Sequence, residues 1–162
     1  MAAGNTYVAL ATNTLSSATA TVTFSSIPAT YTDLVLVANV KGVAVGYPQI
    51  QINGSGSSLS RLALAGDGSS ASSGAYNDNY IVKQTTVNTA DFAFNTITNI
   101  MNYSNTTTYK PLLTRANNAS VGVEVCANTW RSTVAITSFS YYLSGTNMAT
   151  GSTFTLYGIA AA

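Results

Sequence analysis

Apolar residues in this chain recur at every second position far more often than at every third or fourth. In PQIQING, residues 48–54, Ile50 and Ile52 alternate with Gln49 and Gln51. Asn53-Gly54 follows, a pair suited to a two-residue hairpin turn. GSTFTLYGI, residues 151–159, places Phe154 and Leu156 on one phase and Thr153, Thr155 and Tyr157 on the other. DLVLVANV, residues 33–40, is apolar on both phases over Leu34–Val37, which predicts a strand covered on both sides. In VAITSFSYYL, residues 134–143, Val134 and Ile136 hold one phase and Phe139, Tyr141 and Leu143 the other. The slip at Thr137–Ser138 predicts a bulge or a bend between sheets.

Extended over the chain, the same pattern predicts strands at 7–11, 20–24, 33–40, 48–53, 61–64, 80–87, 92–103, 111–115, 121–126, 133–143 and 154–159. Val, Ile, Thr, Tyr and Phe fill these runs, and Gly, Asn, Ser and Asp interrupt them. A single helical turn competes at SSLSRLALAG, where Leu59, Leu62 and Ala63 have helical spacing and Gly66 could cap. GDGSSASSGAYND, residues 66–78, reads as a long loop, and residues 1–6 as a short arm. Many short strands without helices predict one all-β domain over residues 1–162. Its expected form is an antiparallel two-sheet sandwich, jelly-roll-like, of about 8–10 strands.

Composition narrows the work such a domain can do. Charged residues make up 7% of the 162-residue chain, against roughly 25% in an ordinary soluble protein. The surface must therefore be rich in hydroxyls and amides, which suits close packing against neighbours. The six basic residues are scattered and net charge is +1, so no patch neutralises a run of phosphates. No nucleic-acid partner is expected. No apolar run approaches the ~20 residues of a membrane helix, and no membrane partner is expected. The first residues, MAAGNTYVALATNT, lack a basic leader and a long apolar stretch, which predicts synthesis and folding in a cytosol. One cysteine, Cys126, excludes an intrachain disulfide.

Candidate chemistry is sparse. The chain has no histidine, which removes the usual general base and the commonest metal ligand. Five carboxylates remain, Asp33, Asp67, Asp78, Asp91 and Glu124. A glycosidase-like pair among them is the competing reading to plain turn and strand-end roles. Cys126 lies in the apolar run VGVEVCA and reads as a small core residue. YNDNY, residues 76–80, offers oxygen ligands but lacks the carboxylate density of a calcium loop. No enzyme, cofactor or metal site is expected. Tyr76, Asp78 and Tyr80 flank the 66–78 loop and are candidate partner-facing residues, set against ordinary sheet tyrosine.

Four blocks resemble the small all-β virion structural proteins of tailed bacteriophages, especially those of cyanobacteria and marine bacteria. They are VTFSSIPATYTDLVLVANV (22–40), LALAGDGSSASS (62–73), IMNYSNTTTYKPLLTRA (100–116) and WRSTVAITSFSYYLSGTNMATGSTFTLYGI (130–159). The resemblance implies a head decoration (cement) protein or a tail fibre domain. No shaft or anchor segment is expected before Tyr7, and a stand-alone decoration subunit is the favoured expectation. The expected partners are the major capsid protein and further copies of the chain, as a homotrimer. The expected location is the head surface of the virion, after synthesis in the host cytoplasm. The alternative is a receptor- or glycan-binding module of the tail. In this frame Trp130 is expected as a packing anchor at a sandwich edge rather than part of a ligand pocket. Arg131 is expected to bond backbone carbonyls or a carboxylate such as Glu124.

Overall fold

The computed structural model describes residues 6–82 and 94–160. Eleven strands run in chain order: β1 (Tyr7–Thr14), β2 (Thr21–Phe24), β3 (Asp33–Val40), β4 (Pro48–Ile52), β5 (Leu59–Gly66), β6 (Ala71–Tyr76), β7 (Phe94–Ile100), β8 (Lys110–Asn118), β9 (Gly122–Trp130), β10 (Phe139–Leu143) and β11 (Thr153–Ile159). They form an all-β, two-sheet antiparallel sandwich, as the alternation predicts. The strands divide unevenly. Eight make one sheet in the order β1-β11-β3-β7-β8-β9-β5-β6, and three make the other in the order β2-β10-β4.

The core lies where the small sheet covers the large one. Leu34, Leu36, Ala38 and Val40 of β3, Phe154 and Leu156 of β11, and Phe94 and Ile100 of β7 are buried there. They share one cluster with Val22, Phe24, Ile50, Ile52, Phe139 and Tyr141 of the small sheet. The Tyr141 and Phe154 rings meet across the sandwich, 5.2 Å between centres. Each such side chain contributes about 1.5–3 kcal/mol through removal of its surface from water. Gly158 stands in the row of Phe154 and Leu156 because a Cβ there would meet the Tyr31 ring at 2.5 Å.

Asn53 and Gly54 both have positive φ, 51° and 76°, and close the turn after β4. The Ile52 and Ser55 backbones exchange bonds of 2.9 and 3.0 Å across it. Asn53 also holds the bend expected near Thr137–Ser138. Its Oδ1 accepts the N–H groups of Thr137 (2.9 Å) and Ser138 (3.1 Å). Its Nδ2 donates to the Ala135 carbonyl at 2.8 Å. The chain thus leaves the large sheet at Trp130, crosses pinned by one asparagine, and enters the small sheet at Phe139.

Four expectations are corrected. Residues 66–78 are not one long loop, because β6 occupies Ala71–Tyr76 and pairs with β5 from Arg61↔Tyr76 to Gly66↔Ala71. Small Ser, Gly and Ala side chains read as loop, but the pairing is made by backbone, and Asp67 closes a short turn by accepting the N–H groups of Ser69 and Ser70. The strand expected at 61–64 forms as β5, paired on both sides, and the competing helical turn at 57–66 does not form. The strand expected at 133–143 forms only over Phe139–Leu143. Of the strand expected at 80–87, Tyr80 makes a single bridge to Gln49, and 83–87 lie outside the described residues, as does most of the 1–6 arm. The double covering expected of β3 holds at Val35, which is buried on the outer phase, but Val37 is exposed.

Candidate functional site

Trp130 ends β9, where it pairs with Leu59 of β5 and Lys110 of β8, and it is buried. Lys110 is buried beside it. The Lys110 Nζ donates to the carbonyls of Thr108 (2.9 Å) and Ser132 (3.3 Å) and lies 5.8 Å from the Trp130 ring centre. That distance is within cation–π range. Burial pulls the Lys110 pKa below its usual value. Arg131 does not meet Glu124. Strand alternation turns the residue after Trp130 outward, and Arg131 is exposed while its backbone N–H donates to the Ser58 carbonyl at 2.7 Å.

The arginine that faces Glu124 is Arg61, from the inward phase of β5. Arg61 is buried, with Nη1 3.7 Å from Glu124 Oε1. Its Nε and Nη2 donate to the two oxygens of Asp78 at 3.1 and 2.9 Å. Its guanidinium lies 4.3 Å from the centre of the Tyr76 ring. Burial alone would lower the Arg61 pKa, but the bonds and charge of Asp78 raise it overall.

Tyr76, Asp78 and Tyr80 are therefore drawn together by the chain's own contacts. Asp78 also accepts the Tyr80 N–H at 3.3 Å, and the Tyr80 carbonyl accepts from Asn128 Nδ2 at 3.1 Å. The Tyr80 ring meets Tyr47 edge-on, 6.2 Å between centres. Residues 79–81 then run along the outer edge of β4. Ile50 donates to the Asn79 carbonyl (3.0 Å), Ile81 donates to the Pro48 carbonyl (3.3 Å), and Asn79 Nδ2 donates to the Tyr142 hydroxyl. Arg61 and Asp78 thus tie a strap that runs from the edge of the large sheet to the edge of the small one.

This cluster is built to hold rather than to react. The Cys126 thiol donates to Glu124 Oε1 at 3.2 Å. Burial, reinforced by the Glu124 charge, pushes the thiol up to about 12, so at neutral pH it is not a thiolate nucleophile. Arg61, Glu124 and Cys126 are all buried, out of reach of a substrate. Among the described residues no group of three or more Cys, Asp and Glu is placed to hold a metal ion.

The surface that stands out is the outer face of the large sheet. In β9 the inward phase carries Glu124, Cys126, Asn128 and Trp130, and the outward phase carries Val123, Val125 and Ala127. In β5, Arg61 points in while Leu62 and Leu64 point out. In β8, Lys110 and Thr114 point in while Leu113 and Arg115 point out. Leu62, Leu64, Leu113, Val123 and Val125 are between 36% and 59% exposed. They lie on three adjacent strands and make one patch. On the outer phase of β6, β5, β9 and β8, Arg115 is the one charged residue. The usual polarity of a sheet is inverted here, with charge inside and aliphatic side chains outside.

The sequence reading missed this patch. Its signal was present in VGVEVCA, where valines alternate with a glutamate, and in RLALAG, where leucines follow an arginine in antiphase. Normal polarity places such valines inward, so the pattern reads as core until the partner strands are known. No family model, curated protein or solved structure matches this chain.

Proposed function

We propose that this chain is a bacteriophage virion structural protein, a capsid decoration (cement) protein that acts by adhesion across seams of the major capsid protein. The observation that carries the reading is the outer face of the large sheet, aliphatic, exposed and nearly free of charge. Monomeric soluble proteins rarely expose contiguous apolar patches beyond a few hundred Å², and such patches mark interaction surfaces. A neutral apolar contact also keeps its strength in salt, where exposed ion pairs are screened over roughly 8–10 Å. The buried Arg61 strap adds support, because it binds the two sheets into one body able to transmit force. Cys126 stays protonated and Glu124 is enclosed, so neither presents a reactive group at the surface.

Copy number in the purified particle tests this. Hundreds of copies per virion and retained capsid binding from low to high salt are expected. A handful of copies would move the protein to the tail, as a fibre or receptor-binding module. Binding that collapses with added salt would make Arg115 and the other scattered cations the contact instead of the apolar face.

A further inference from the structure

We infer that the half of this face formed by β6, β5, β9 and β8 pairs with the same half of a second copy about a two-fold axis running between β5 and β9. The inference rests on the proposed function in taking the outer face as the working surface: free copies pair reversibly through it, and the pair must part for the same face to reach a capsid seam. Its basis is the order of residues across the strands, row by row. The central row reads Ser73, Leu64, Val125, Arg115. A two-fold axis parallel to the strands reverses each row over itself. Leu64 then lies against Val125 of the second copy, and Arg115 lies over the hydroxyl of Ser73.

The rows on either side complement themselves by size. One reads Ala75, Leu62, Ala127, Leu113. Reversal sets Leu62 against Ala127 and Leu113 against Ala75, large against small in both cases. The other reads Ala71, Gly66, Val123, Asn117. Reversal sets Val123 against the bare Gly66. Alternation of large and small side chains across facing positions is what lets two sheets interdigitate at ~10 Å separation. At the end of the patch, Ser60 pairs in register with Thr129, which gives a hydroxyl rim.

Charge and area agree with a second copy as occupant. The two Arg115 side chains would be three strand spacings apart, about 14 Å, on opposite sheets about 10 Å apart. That separation exceeds the ~8 Å screening length, so the like charges do not oppose pairing. Strands of nine residues in β8 and β9 and a width of four strands give about 500 Å² per copy, or about 1,000 Å² in all, the lower bound for a specific interface. The pair is therefore reversible. A trimer, the arrangement expected from the sequence resemblance, needs two different patches per copy that fit each other. The rows supply one patch that fits itself.

Sedimentation of the purified chain over a range of concentrations, at low and at 1 M salt, tests the pairing without any capsid. A mass rising with concentration to twice the 16.7 kDa of one chain, unchanged by salt, is expected. Leu64→Lys alone and Val125→Glu alone should each stay at the mass of one chain, with parental circular dichroism because both positions are exposed. Mixed in equal amounts they should regain the pair, since Lys at 64 then meets Glu at 125. A chain that stays single at all concentrations, a trimer, or a pair untouched by either substitution would overturn the inference. A mixture that stays single would overturn the two-fold register. Loss of capsid binding by a chain that still pairs would count against the proposed function and leave the pairing intact.

Discussion

Replacing Arg61 by Met removes the clamp of the strap while keeping an unbranched apolar stem of similar length. Two bonds to Asp78, at 3.1 and 2.9 Å, are lost, along with the positive charge 3.7 Å from buried Glu124 and the stacking on Tyr76. Removing one partner of a buried ion pair typically costs about 3–5 kcal/mol. The Asp78 side chain retains 19% exposure and recovers part of its hydration, so the lower end, about 3 kcal/mol, is the better figure. At roughly 2–4 °C per kcal/mol for a domain of this size, the melting temperature should fall by about 6–12 °C. Denaturant titrations of the parent, Arg61→Met, Asp78→Asn and the double variant form a cycle, and the coupling between the two sites should be about 1–3 kcal/mol. An Arg61→Met protein within about 0.5 kcal/mol of the parent, the range of ordinary surface changes, would refute the clamp. So would additive effects, which would mean that Arg61 and Asp78 stabilise the fold independently.

Two further outcomes follow from the buried groups. Trp130→Ala should cost about 3–5 kcal/mol by opening a cavity beside Lys110, measured as a lower melting temperature. A variant that melts like the parent but loses the proposed capsid binding would assign Trp130 to a contact surface. The Cys126 thiol, raised from 9.0 to about 12 in the folded chain, contributes stability that is fully present below about pH 9 and lost as pH rises towards 12. The parent should therefore lose more denaturant resistance between pH 8 and pH 11 than Cys126→Ala does, and equal losses would place the alkaline sensitivity in other groups.

The sequence made some elements plain and hid others for identifiable reasons. β4 and its turn were legible because Ile50 and Ile52 alternate with glutamines and Asn53-Gly54 fits only a few backbone conformations. β11 was legible because both its phases obey normal polarity. β6 was hidden because its strand character resides in backbone pairing with β5, and Ser, Gly and Ala carry no strand signal. β9 was found as a strand, but the direction of its side chains was not. Glu124 is inside because Arg61 is there to meet it, and that pairing joins residues far apart in the chain. The same cause misplaced the arginine, since proximity in sequence pointed to Arg131. The candidate interface stayed out of sight because Leu62, Leu64, Val123 and Val125 look like core until their strands are seen to face away from the small sheet.

The place of β11 between β1 and β3 sets a timetable for the newborn chain. β1 pairs with β11 from Tyr7↔Ile159, and β3 pairs with β11 over Asp33–Asn39. The strands made first therefore have as their shared neighbour the strand made last among those described. At about 5–20 residues per second, residues 7–14 wait on the order of ten seconds or more for Thr153–Ile159 to be synthesised. Over that interval the β11-facing edges of β1 and β3 stay open to other chains on the same messenger. Slow codons between residues 143 and 153 would lengthen the wait, and fast ones would shorten it. The yield of folded protein should thus depend on translation speed as well as on stability.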